Sequence, residues 1–213
     1  ASGGAYSRLR LLLCLMSLHL ADGYIEPGKA IATLLLEEAT AANAPISQLW
    51  AHLALGTIAY EANDLPEAIK HFTQGMELRT AGHMRGGHEC MVRLALTYQA
   101  LGRTEEAHGT ASMLYAYHRQ SGNMALTAEV QMLQLHLDVL AGRQLIDQPW
   151  RPLRASAPAI LFGWRVVPAV TQVHLLLAEA SPAALHKASA MLDELLEIAA
   201  TLHKPARTVE YLA

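Results

Sequence analysis

Histidine and cysteine are the residues of this chain best suited to chemistry. There are 11 His and 2 Cys in 213 residues, and the tightest gathering is His83, His88 and Cys90 in the stretch GHMRGGHEC. Imidazole nitrogen and thiolate sulfur at short spacing are zinc-ligand types, and a structural zinc site closes with four such ligands. No fourth ligand is evident, and Cys90 falls in an apolar helical pattern, so no bound metal is expected. His136 and His174 read as satisfied helix residues rather than ligands. Paired carboxylates, the raw material of general acid–base work, occur at Glu37-Glu38, Glu105-Glu106 and Asp193-Glu194. Each pair stands among Lys, Arg or Ala and reads as a solvated helix face. The chain has no G-x-x-x-x-G-K-[ST], no H-E-x-x-H and no G-x-S-x-G, so phosphate-loop, zinc-hydrolase and serine-nucleophile chemistry lack their signatures. The expectation is a protein with no catalytic residue, no cofactor and a binding role.

Composition narrows the partners. With 16 Lys+Arg against 19 Asp+Glu the formal charge is −3, which makes no field for a phosphate backbone. The densest basic cluster is only Arg151 with Arg154, and no direct nucleic-acid contact is expected. At 52% hydrophobic and 16% charged, the chain has ample apolar surface to bury, which excludes disorder. Leu and Ala dominate, and both favour helices. Two distant thiols, Cys14 and Cys90, are no disulfide framework, which points to the cytoplasm. The apolar run Leu11–Met16 is bounded by Arg8 and Arg10 on one side and by His19 and Asp22 on the other. That leaves about ten residues where a membrane span needs about twenty. No small-residue cleavage site follows it. The run is expected to be a buried helix, with no membrane contact.

The elements that must position any site come from an internal repeat. Residues 50–76 read WAHLALGTIAYEANDLPEAIKHFTQGM. Leu55-Gly56, Ala59-Tyr60, a turn at Asn63-Asp64 and Ala68-x3-Phe72 follow the tetratricopeptide pattern. The leading aromatic is displaced to Trp50, with His52 in its place, and Thr80 stands near the closing proline position. The pattern returns with Leu94-Ala95, Tyr98, Gly102 and Glu106-Ala107. It is traceable back to Ala30 and Leu34, and forward from Val173 through Ala188 to Leu192. From Ala68 to Ala107, and from Gly102 to Gly142, the period is about 39 residues, longer than the usual tetratricopeptide unit. Gly56, Ala68 and Ala107 are small enough for paired helices to approach closely, while Phe72 and Met76 share a face and fill the space between pairs.

The period places helices near 6–21, 27–42, 46–62, 66–80, 85–101, 104–120, 124–141, 164–180 and 182–201, with another from 205. Pro66 suits a first helical position, and Ser181 before Pro182 suits a cap. Pro149, Pro152 and Pro158 break the pattern over 143–163. The fold expected is all-α: a right-handed superhelix of about five tetratricopeptide-like helix pairs. They would cover 6–42, 46–80, 85–120, a degenerate 124–163, and 164–201, in one domain over 1–213. Residues 205–213 look like the start of a further repeat without a capping surface, as expected of a fragment of a longer protein.

Repeats of this length, with the C-terminal text HLLLAEASPAALHKASAMLDELLEIAATLHKPARTVEYLA, resemble the helical-repeat domain of MalT-like, LuxR-type, ATP-dependent bacterial transcription regulators. In that family a signal-transduction NTPase precedes the repeats and a DNA-binding helix-turn-helix often follows. The resemblance implies a repeat array that receives an inducer or a regulatory protein. Neither nucleotide nor DNA binding carries over to these residues.

A repeat array presents a concave face built from the first helix of each pair. Trp50, Leu53, Thr57, Tyr60 and Glu61 are expected to line it in one copy, Glu89, Val92, Leu96 and Gln99 in the next, and Glu129, Met132 and His136 in the fourth. The Lys, Arg and Asn with which chaperone-type repeats hold a peptide carboxylate are missing. The competing reading is that Trp50 and Leu53 pack against neighbouring helices. A rival surface is the proline-rich break with Trp150, Arg151 and Arg154. The partner expected is a protein or peptide, which includes other domains of the same polypeptide. The alternatives are a small-molecule inducer held inside the superhelix and a free-standing scaffold.

Overall fold

The computed structural model describes residues 2–80, 84–143 and 168–201, and every described element is helical. In chain order these are α1 (Ser2–Ala21), α2 (Ile25–Ala41), α3 (Pro45–Glu61), α4 (Leu65–Glu77), a 3-10 turn (Leu78–Thr80), α5 (Met84–Ala100), α6 (Thr104–Gln120), α7 (Met124–Leu140), α8 (Pro168–Glu179) and α9 (Pro182–Thr201). These bounds fall within a few residues of those read from the period. The expected further helix from 205 and most of the break at 143–163, with Trp150, Arg151 and Arg154, lie outside the described residues.

One device ends most of these helices. Gly23, Asn43, Asn63, Gly102, Gly122 and Gly142 all have positive φ, between 49° and 81°. At each, the residue's own N–H reaches back three positions and the next N–H reaches back five. At Gly23 these bonds run from Gly23 N to Leu20 O and from Tyr24 N to His19 O; at Asn63 they run from Asn63 N to Tyr60 O and from Asp64 N to Ala59 O. This is the Schellman closure, in which a left-handed residue satisfies the last carbonyls of a helix. Gly23, Asn43 and Asn63 are evenly spaced along the chain, and Gly102, Gly122 and Gly142 repeat the same interval. That interval is one helix plus one tight turn. Asp64, Asn123 and Ser181 then open the next helix by accepting from the backbone N–H of Glu67, Leu126 and Ala184, which is the role expected of Ser181. Pro66 stands one place further in than expected, because α4 begins at Leu65.

The chain packs as two compact units, Ala1–Leu114 and Tyr115–Ala213. In the first, α1 packs on α2, α2 on α3, α3 on α4 and α4 on α5, and α3 also touches α1 and α5. The whole run of α3 from Ala51 to Ile58 is buried as a result. The repeat motif explains how two helices meet so closely: a Cβ on Gly56 would lie 2.7 Å from Cε1 of Phe72. Ala68, Phe72 and Ala107 are fully buried, as their assigned packing role requires. The expectation for α1 needs correction. Leu9, Leu12 and Met16 are buried, but Tyr6, Leu11, Leu15 and Leu18 are exposed, because only one side of this helix meets α2 and α3. In the second unit α7 packs on α8 and α8 on α9. Val130, Leu133, Leu137, Val173 and Ala188 form its interior. No described helix is long and apolar enough to cross a membrane.

Candidate functional site

The stripe expected to form an open face divides by burial. On α3, Trp50 and Tyr60 are half-buried and Glu61 is exposed, while Leu53 and Thr57 between them are 0% and 2% exposed. Thr57 spends its hydroxyl on Leu53 O at 2.8 Å. The middle of the stripe is therefore core, and the reading of Leu53 and Thr57 as binding residues is corrected: α3 has neighbours on every side. On α5, Leu96 and Gln99 are half-buried, while Val92 and Glu89 are buried. Nε of Arg85 stands 3.1 Å from Glu89 Oε1, so this carboxylate is paired within its own helix rather than offered to a ligand. On α7, Met132 is buried, and Glu129 and His136 are half-buried. Of the residues read as a binding face, Trp50, Tyr60, Glu61, Leu96, Gln99, Glu129 and His136 keep surface that a partner can reach.

A contact between two histidine rings of successive helices was not foreseen. His52, at the displaced aromatic position of the motif, projects from α3, and His71 projects from α4 just before Phe72. Their Nδ1 atoms are 3.0 Å apart and their ring centroids 5.3 Å apart. His71 Nε2 lies 3.3 Å from Glu67 Oε1, which Lys70 Nζ also meets at 2.7 Å. A carboxylate beside Nε2 selects the tautomer with hydrogen on that nitrogen. His71 Nδ1 is then the acceptor, and His52 donates to it from Nδ1. Burial, then the neighbouring His71 and then Lys70, hold His52 well below the usual imidazole range, at about 4. Burial also lowers His71, against the pull of Glu67. The hydrogen bond from Lys70 keeps Glu67 ionised below the ordinary carboxylate range. Spacing was the available sequence signal: His52 and His71 stand almost one helix-turn interval apart, which places two side chains on successive helices.

A second pair stands in the other unit. His136 of α7 and His174 of α8 have ring centroids 5.3 Å apart, inclined by 33°. Their Nδ1 atoms are buried without a hydrogen-bond partner among the described residues. Burial, and then His174, lower His136 to about 4.

Elsewhere the chemistry is muted. His83 lies outside the described residues, His88 is buried, and burial together with Glu89 pushes the Cys90 thiol far above its ordinary range. Among the described residues no three His, Cys, Asp or Glu side chains gather as metal ligands. Glu37, Glu105, Glu106, Asp193 and Glu194 are exposed, and Arg8 pairs with Glu38 at 2.5 Å. Comparisons with protein-family models, with curated proteins and with solved structures find no match.

Proposed function

We propose that this chain is a non-catalytic, tetratricopeptide-type repeat domain of a bacterial signalling or transcription-regulatory protein, which binds a protein or peptide partner in the cytoplasm. The observation that carries the reading is the even spacing of the helix closures, joined to the contact of Gly56 with Phe72. Similar helix-turn units that stack on their sequence neighbours suit an extended binding surface better than an enclosed active site. In this reading the helix pairs wind into a right-handed superhelix of about five repeats, and the resemblance to MalT-like regulators supplies the regulatory setting. The partner meets the open ends of the α3 and α5 stripes, where Trp50 and Tyr60 supply aromatic contact area at low entropic cost.

The test is affinity capture from the source cell with wild type, Trp50→Ala and Trp150→Ala, each checked for helicity by circular dichroism. Loss of the captured partner with Trp50→Ala alone is expected. Loss with Trp150→Ala alone moves the site to the proline-rich break, and loss with neither removes this reading of the surface.

A further inference from the structure

The His52–His71 contact joins the two helices that carry the clearest copy of the repeat motif. An Nδ1···Nδ1 separation of 3.0 Å needs a hydrogen between the two rings. One ring must donate and the other must accept, so the pair holds a single hydrogen between its two facing nitrogens. If both rings are protonated, both facing nitrogens become donors, the bond is lost, and two cations face each other inside the hairpin.

We propose that the His52–His71 pair is an acid-sensitive clasp, which closes α3 on α4 while it holds one shared hydrogen and destabilises that hairpin when both rings are protonated. The surroundings favour the switch. On α4, Glu67 is anchored by Lys70 on the far side of His71, so it orients His71 but does not reach the shared hydrogen. Lys70 itself opposes protonation of both rings. From α5, His88, Glu89 and Cys90 are buried. Glu89 is engaged by Arg85, and Cys90 meets His52 across Gly75, where an added Cβ would lie 2.5 Å from Sγ and 3.6 Å from the Cβ of His52. Arg79 of the 3-10 turn donates to Met76 O. The buried residues of α2 are Gly28, Ala32, Leu35 and Ala39 and those of α1 are Leu9, Leu12 and Met16, so neither helix brings a charge inward. Among the described residues no carboxylate stands ready to neutralise a cation at His52.

The sign follows from linkage. The unfolded chain binds a proton on His52 as pH falls through about 6.5, whereas the folded chain resists until about 4. Stability is therefore full above that window and is lost progressively as pH falls through it.

Two measurements test the clasp. The first is urea unfolding of wild type and His52→Asn from pH 7 to pH 5. The slope of stability against pH gives the protons taken up on unfolding. Asn keeps a donor at the Nδ1 position and cannot titrate, so the variant is expected to take up about one proton fewer at pH 5. An unchanged slope overturns the proposal. The second needs no variant: the ring signals of His52 and His71, followed by nuclear magnetic resonance in the folded wild type. Those of His52 are expected to keep their neutral positions from pH 7 to pH 5. Titration of His52 with a midpoint above 5 overturns the clasp even if the variant fails to fold.

Discussion

Helices α1 and α3 read alike and fold differently. Both have an apolar middle free of Asp, Glu, Lys and Arg: LLLCLMSLHL in one, LWAHLALGTIAY in the other. Yet α3 buries every residue from Ala51 to Ile58, whereas α1 leaves Leu11, Leu15 and Leu18 exposed. The difference lies in their neighbours. α3 meets α1, α2, α4 and α5, while α1 packs on α2 and α3 alone among the described helices. In a stack of helical units, burial is conferred by position in the stack, and an apolar stripe alone does not reveal whether a helix is sealed.

The sharpest break of this comparison is a matched pair of truncations. Leu53→Ala on α3 should cost about 2–5 kcal/mol, because it leaves a cavity in a site closed on all sides. Leu11→Ala on α1 should stay within about 0.5 kcal/mol, as exposed substitutions do. Equal losses in denaturant unfolding would mean that α1 is sealed too. Next in size is overpacking. Ala68 is fully buried where α4 meets α3, and Ala68→Leu should cost about 1–3 kcal/mol. If that variant melts like wild type, the register of the repeat motif is wrong. The smallest perturbation uses the two thiols. Cys14 on α1 is exposed and Cys90 on α5 is buried. A thiol reagent should label Cys14 in the native protein and reach Cys90 only in denaturant. Labelling of both without denaturant would contradict the enclosed position of α5.

Much of this fold was legible in the sequence for a local reason. Helix ends are written in residues that tolerate left-handed backbone, so Asn63-Asp64, Gly102 and Gly142 marked the turns before any packing was known. Ala68, Phe72 and Gly56 were legible because close approach of two helices demands small residues beside large ones. The candidate surface was much less legible. Leu53, Thr57, Val92 and Met132 share the helical periodicity of Trp50 and Leu96, and periodicity identifies a face without saying what covers it. The absence of any Asp, Glu, Lys or Arg between Pro45 and Tyr60 was the available sign that α3 is apolar all round and hence enclosed. The histidine pairs were hidden for another reason. A contact between successive helices depends on the rotation of each about its axis, and the separation of His52 from His71 acquires meaning only beside the length of one helix-turn unit.

The central claim is that burial follows position in the stack, with α3 enclosed and α1 half-open. Residue-resolved native-state hydrogen exchange tests it most directly, because protection reports the free energy of local opening. The account predicts that the amides of Ala51–Ile58 in α3 exchange most slowly in the first unit, and that those of Leu11–Leu18 in α1 open through a separate, less costly fluctuation. Slower exchange in α1 than in α3, or one uniform protection across both, would contradict it.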